Sequence, residues 1–107
     1  MSVINLLSSS LGIRDEIPNQ KLAWEIAETE NKEAIEELVD NLQNNKDKKI
    51  RNDCIKVLYE TGYKKPELIS KYLKVFVELL GNKNNRLIWG AMIAIDAIVD
   101  VEPVNLS

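Results

Sequence analysis

Carboxylate pairs at helical spacing are the side chains of this sequence best placed for acid–base chemistry. Glu33 lies three and four positions before Glu36 and Glu37, and Asp96 lies four positions before Asp100. Two neighbouring carboxylates can divide the roles of acid and base when a cleft shields them from water. The sequence indicates no such cleft around either pair, and paired acids on a helix usually form a solvated face. We therefore expect these acids to meet solvent or a partner rather than to catalyse a reaction.

The other reactive side chains are few. The chain contains no histidine and one cysteine, Cys54, so the commonest general base and the usual zinc ligands are missing. Cys54 stands in an apolar helical pattern, which is typical of a buried thiol. The four glycines are dispersed and form no phosphate-binding loop. We expect no enzymatic activity, no metal and no cofactor.

Length and composition indicate one small domain. A chain of 107 residues has room for a modest core. No apolar run approaches the ~20 residues that cross a bilayer, and the N-terminus lacks the pattern of a signal peptide. A single cysteine forms no intramolecular disulfide, which suits a reducing compartment. We expect a cytoplasmic protein that does not contact a membrane.

An apolar pattern repeats at an interval of 37 residues and indicates the fold. The matched positions are Ile50, Cys54, Leu58 and Thr61 in the first copy and Leu87, Ala91, Ile95 and Ile98 in the second. Periods of about 20 to 50 residues are typical of solenoids, in which helix pairs bury their apolar stripes against each other. No segment alternates with a period of two, so we expect an all-α protein without a sheet.

Capping residues and polar breaks divide the chain into predicted elements. These are a short helix or a strip laid over the first repeat (1–14), a first hairpin (18–45), a second hairpin (47–80) and the first helix of a third, incomplete hairpin (84–100). Asn31 and Asp47 are suited to cap helix N-termini. Pro18 and Pro66 suit the first turns of helices. Gly62 suits the end of a helix, where the backbone often adopts the left-handed conformation.

The segment NKDKKIRNDCIKVLYETG, residues 45–62, resembles the first helix of a HEAT repeat. That helix usually has an aliphatic residue followed by arginine, then a small residue three positions on and an aliphatic residue four after that. Ile50-Arg51, Cys54 and Leu58 match this pattern. The second copy matches at its apolar positions but has Ile88 where arginine is usual.

The resemblance extends over residues 18–100 and implies a right-handed α-α superhelix of about two and a half antiparallel hairpins. It also implies a non-enzymatic protein-binding or scaffold module, either whole or as a fragment of a longer solenoid. The inner groove of such a module is formed by the second helix of each hairpin. Candidate partner-binding residues there are Glu33, Glu36, Glu37, Asp40, Glu67, Lys71 and Lys74.

The net charge of −3 conceals a separation of charge along the chain. Residues 15–45 contain nine acids and two bases, whereas residues 46–86 contain eleven bases and five acids. Such a separation can steer a charged partner, or bring the basic band of one molecule to the acidic band of another. The main expectation is another protein as partner.

The basic segment 46–86 also permits an alternative function, that of a nucleic-acid-associated domain. Its candidate phosphate-binding residues are Lys46, Lys48 and Lys49, with Lys71 and Lys74 further along. Phosphate binding depends on accumulated cations, and the chain as a whole is acidic, so nucleic acid is the less favoured partner. An ordinary solvated face and a groove for an acidic protein segment remain open.

The last predicted helix is apolar on nearly all sides, since only Gly90 and Asp96 interrupt residues 87–99. A helix of this kind is normally buried on nearly all sides. The side facing away from the matched positions carries Trp89, Met92 and Ile93. We expect this surface to pack on a second copy, on a partner or on a further repeat. The alternative is that residues 101–107 and the N-terminal strip cover it.

Overall fold

The computed structural model describes residues 2–101, which contain helices and turns but no strand. The α-helices are α1 (Ile17–Thr29), α2 (Lys32–Asn44), α3 (Lys48–Lys64), α4 (Leu73–Leu79) and α5 (Asn85–Val101). Short 3-10 helices span Val3–Leu6, Pro66–Leu68 and Ser70–Tyr72. The prediction of an all-α protein is confirmed for this part of the chain.

The predicted caps begin two of the helices. Asn31 Oδ1 accepts a hydrogen bond from Ala34 N at 3.1 Å, and Asp47 Oδ1 accepts one from Lys49 N at 2.9 Å. Pro18 lies in the first turn of α1, where a missing N–H removes no helical hydrogen bond. Both predicted caps are therefore confirmed.

Gly62 does not end α3, and that prediction is wrong. The helix continues to Lys64, and Gly62 is buried within it. A Cβ at this position would lie 2.5 Å from Cδ1 of Ile69. Gly62 thus allows a close approach between α3 and the following segment, and it does not provide a left-handed turn.

The helix predicted to begin at Pro66 is broken into two 3-10 turns and the short α4. Hydrogen bonds of the i to i+3 type close the turns, with Leu68 N donating to Lys65 O at 3.0 Å and Tyr72 N to Ile69 O at 3.0 Å. This tighter winding accompanies complete burial of Ile69 against Gly62.

Helix α3 lies at the centre of the packing. It contacts α1 and α5 as well as α2, and α4 packs on α5. The matched apolar positions of the repeat line this core, since Cys54, Leu58, Leu87 and Ala91 are each 0% exposed. Burial of a large aliphatic side chain stabilises a fold by ~1.5–3 kcal/mol, so these contacts hold α3 and α5 together.

The N-terminal segment lies across the first three helices. Leu7 is fully buried, and Ser2 and Val3 both donate hydrogen bonds to the Glu37 carboxylate on α2. Ser9 reaches α3, where its backbone N donates to Asp53 Oδ2 at 2.8 Å. Among residues 2–101, no helix is long and apolar enough to cross a membrane.

Candidate ligand-binding groove

A cavity of about 730 Å³ lies where α1, α3 and α5 begin. Its wall includes Glu16 before α1, Lys48 in the first turn of α3 and Asn85 in the first turn of α5. Five cationic residues line the cavity, namely Arg14, Lys48, Lys49, Lys83 and Arg86. The cavity therefore joins the N-termini of three helices with a cluster of positive charge.

The turns before α3 and α5 have the same hydrogen bonds. Asp47 N donates to Asn45 Oδ1 at 2.8 Å, and Asp47 Oδ1 accepts from Lys49 N at 2.9 Å. The same two bonds recur 37 residues later. Asn84 N donates to Asn82 Oδ1 at 2.8 Å, and Arg86 N donates to Asn84 Oδ1 at 3.0 Å. Because the turns match, Lys49 and Arg86 occupy equivalent positions at the cavity.

A side-chain amide pair fixes the second turn to the neighbouring helix. Asn84 Nδ2 donates to Asn52 Oδ1 of α3 at 2.8 Å. Both residues line the cavity and are partly buried. This bond connects the start of α5 to the first turns of α3.

A buried polar network forms the wall on the side of the N-terminal segment. Asp53, 8% exposed, accepts from Asn19 Nδ2 at 2.9 Å and from both the backbone N and the hydroxyl of Ser9. Asn19 in turn accepts from Ser8 N at 2.9 Å. Both oxygens of the Asp53 carboxylate thus have partners within the protein. Ser8 Oγ is buried and has no hydrogen-bond partner.

The cavity cations form no ion pair with another residue of the described range 2–101. In residues 2–101, the ion pairs join Lys56 to Glu60 and Lys65 to Glu30, and neither pair includes a cavity cation. Glu16 and Asp53 are the acids of the cavity wall. With five cations and two acids, the site has an excess of positive charge.

A second cavity of about 510 Å³ continues the first along the surface between α3 and α5. Arg14, Asn52 and Arg86 line both cavities, so the two form one groove. The continuation passes Tyr59 and Trp89, and Trp89 is 64% exposed. The groove therefore presents aromatic surface next to cations.

The lysines predicted for nucleic acid are separated in space. Lys48 and Lys49 line the cavity, whereas Lys46 is exposed outside it. Lys71 lines a different, smaller cavity beside α2, and Lys74 is exposed on α4. The basic segment 46–86 therefore does not form one face.

The residues predicted to bind a protein partner also differ in environment. Glu33, Glu36 and Asp40 are exposed on α2, while Glu37 is hydrogen-bonded to the N-terminal segment. Glu67 lines a cavity of about 120 Å³ with Lys71. Lys32 and Ile35 of α2 line the same cavity, so Glu67 and Lys71 lie beside α2.

The outer side of α5 is open in residues 2–101. Trp89 is 64% exposed and Met92 is 47% exposed, and Ile93 is partly buried. The N-terminal segment lies instead on α1, α2 and α3. The alternative covering by residues 101–107 concerns a segment that, beyond Val101, lies outside the described residues.

Cys54 is a buried thiol, as predicted. Its exposed fraction is 0%, and burial, followed by the nearby charges of Asp53 and Glu37, raises its pKa to about 12. A thiol with this pKa carries almost no thiolate at neutral pH, so it is a poor nucleophile. The part of the chain in the structure contains no group of three side chains suited to a metal ion.

Sequence reasoning missed Arg14, Lys83 and Arg86 as parts of the site. For Lys83 and Arg86 the signal is the polar spacing N-K-x-x-[KR], which begins at Asn45 and again at Asn82. For Arg14 the sequence contains no comparable signal, because only the path of the N-terminal segment brings it to α3.

Comparisons of the chain with protein-family models, with curated proteins and with solved structures find no match. The groove and the open side of α5 are the features of the described residues that bear on function.

Proposed function

We propose that the chain is a non-enzymatic helical-repeat module of the HEAT type, and that it binds another protein through the outer side of α5. The repeat supports the first part of this proposal. Helices α3 and α5 begin and end 37 residues apart, start with the same turn and pack side by side. In helical-repeat proteins each unit contacts its neighbours in this way.

The dimensions are also compatible with two layers of helices. The molecule measures 43 × 33 × 21 Å, and a helix with its side chains is ~10 Å across. Helices α1, α3 and α5 would form one layer, since α3 contacts both others. Helices α2 and α4 would form the second layer, each on a helix of the first.

The observation that carries the proposed partner site is a difference between α3 and α5 at equivalent positions. Ile55 on α3 is 2% exposed because α5 lies against it, with Gly90 at the contact. Its counterpart 37 residues on is Met92, which is 47% exposed. The open side of α5 thus corresponds to a surface that a helix covers on α3.

We therefore identify the occupant as a helix of another protein that packs on Met92 as α5 packs on Ile55. Trp89, which corresponds to Asn52, adds further apolar area beside it. Burial of a large apolar side chain contributes ~1.5–3 kcal/mol, so burial of two or three such residues would contribute several kcal/mol to the stability of the complex. Exposed apolar patches of this kind commonly mark binding sites.

The test compares the full chain with a Met92→Lys variant as baits for affinity capture from the source cell. Lysine is a good helix former at this exposed site, so the fold is expected to persist. The control is Val77→Lys on α4, where the side chain is similarly exposed at 50%. We expect one protein to bind wild type and the control and to be absent with Met92→Lys, and the purified pair to form a complex.

Identical captured proteins for all three baits would contradict the proposal. Light scattering on the purified chain tests whether a second copy of this chain occupies the surface instead. A dimer that Met92→Lys dissociates would replace the foreign partner with a second copy of this chain.

A further inference from the structure

We infer that the groove at the starts of α1, α3 and α5 binds a phosphate-bearing nucleotide, either free or within a single strand. The phosphate occupies the cavity of about 730 Å³, and the base lies along Trp89 in the continuation of about 510 Å³. Ligand cavities of ~300–1,000 Å³ hold small organic molecules, so each part is large enough. This site shares Trp89 with the proposed protein-binding side but does not include Met92.

The charges favour an anion. The cavity has five cationic residues and two acids, and none of its cations is held in an ion pair with another described residue. One acid, Asp53, already accepts hydrogen bonds from Asn19 and Ser9. A phosphate would therefore meet unpaired guanidinium and ammonium groups, which are its usual protein partners.

The start of α5 is the most favourable position for the phosphate. Its capping side chain is the neutral amide of Asn84, so no carboxylate cancels the partial positive charge of the helix terminus there. Lys83 and Arg86 flank this cap within the cavity wall. At α3, by contrast, the cap is the anionic Asp47.

One buried hydroxyl supports a ligand independently of the charges. Ser8 lines the cavity and is 3% exposed, yet its Oγ has no hydrogen-bond partner. Buried polar groups in native proteins are nearly always hydrogen-bonded. Because Ser8 Oγ is shielded from solvent, the side chain has to rotate toward a bound phosphate before its hydroxyl can donate to a phosphate oxygen.

The aromatic continuation favours a nucleotide over an acidic or phosphorylated peptide. The Trp89 ring is exposed, and the aromatic and cation–π contacts found in residues 2–101 involve other rings. Bases stack on such rings while cations hold the adjacent phosphate, which is the usual arrangement for single strands. A peptide phosphate would use the cations but has no base to stack on Trp89.

The experiment titrates the full chain with two probes at low salt, adenosine monophosphate and a fluorescein-labelled oligothymidylate. The test variant is Lys49→Glu/Arg86→Glu, and the control is Lys71→Glu/Lys74→Glu, which makes the same charge change outside the cavity. We expect the test variant to raise the Kd by about tenfold or more and the control to leave it within about twofold. For the strand, loss of both cations in the test variant should make the slope of log K against log salt shallower by about 1.4, which is about 0.7 for each cation that binds a phosphate.

The test variant is expected to fold, because glutamate is favourable in the first turn of a helix. Circular dichroism checks this. A separate Trp24→Phe variant leaves Trp89 as the remaining tryptophan, and its fluorescence should be quenched when either probe binds.

Each outcome is decisive. Tighter binding of the oligonucleotide than of the monophosphate supports a strand as ligand, and equal binding supports the free nucleotide. Failure of both probes to bind at low salt would overturn the inference, as would binding that the test variant leaves unchanged. Competition by a phosphoserine peptide as strong as that by the monophosphate would also overturn it.

Discussion

Gly90 of α5 lies against Ile55 of α3 so closely that a Cβ at position 90 would be 2.5 Å from Cγ1 and 3.0 Å from Cγ2 of the isoleucine. These atoms belong to the branched base of the side chain, which has little freedom to move. The contact therefore sets how near the two repeat helices lie to each other.

Gly90→Ala is predicted to destabilise the protein by about 1–3 kcal/mol, because overpacking outweighs the better helix propensity of alanine. Urea unfolding followed by circular dichroism measures this. The matched control is Gly62→Ala, whose Cβ would meet the flexible end of Ile69, and it should cost clearly less. An equal loss at both sites would show that the branched base of Ile55 does not limit the approach of α5.

A double variant tests the same contact from the other side. Ile55→Ala alone should cost about 2–5 kcal/mol, as truncation of a buried isoleucine usually does. Because it removes the atoms that obstruct position 90, adding Gly90→Ala should bring no further loss of stability. Additive losses would argue against a direct clash.

Asp53 holds the N-terminal segment on the helices, and Asp53→Ala is predicted to cost about 1–3 kcal/mol. The substitution leaves donors of Asn19 and Ser9 without their acceptor in a buried environment. Hydrogen exchange should become faster around Ser8 and Ser9. Asp96→Ala removes an exposed carboxylate from α5 and is the control. If both variants exchange alike near Ser9, the network does not hold the segment.

The two matching turns predict unequal effects for their capping residues. Asp47→Ala should cost ~1 kcal/mol, the usual value for removal of an N-cap. Asn84→Ala should cost more, because its amide also donates to Asn52 at 2.8 Å. Asn84→Asp separates the two roles, since the carboxylate still caps α5 but has no proton for Asn52. Chemical denaturation of the three variants should therefore place Asn84→Asp between wild type and Asn84→Ala.

Much of the helical layout could be predicted from the sequence. The interval of 37 residues places α3 and α5 correctly because their buried positions repeat, and the residue type and position of Asn31 and Asp47 predict them as caps. Local chemistry decides these features. The break after Pro66 was not predictable in this way, because it accompanies a packing contact between Ile69 and Gly62 that no residue type or spacing announces.

The groove was only partly predictable for the same reason. Lys48 and Lys49 are predictable because they belong to the lysine-rich segment. Lys71 and Lys74, which the sequence groups with them, lie elsewhere. Arg14 reaches the groove through the path of the N-terminal segment. Such neighbours arise from tertiary packing, which composition and spacing do not specify.

Cys54 gives a prediction for alkaline pH. Its pKa is raised from an ordinary 9.0 to about 12 in the folded protein, so the folded state retains a proton that the unfolded state loses first. Below about pH 9 both states are protonated and this group leaves stability unchanged. Between about pH 9 and 12 the unfolded state binds fewer protons, so the free energy of unfolding should fall as pH rises.

The measurement compares wild type with Cys54→Ala across this range, because lysines and tyrosines titrate in both proteins and cancel in the difference. The stability of wild type relative to the variant should be constant below about pH 9 and decline above it. Iodoacetamide should label the thiol only in denaturant, since the side chain is 0% exposed. A difference that stays flat to high pH, or rapid labelling of the native protein, would contradict a buried thiol with a raised pKa.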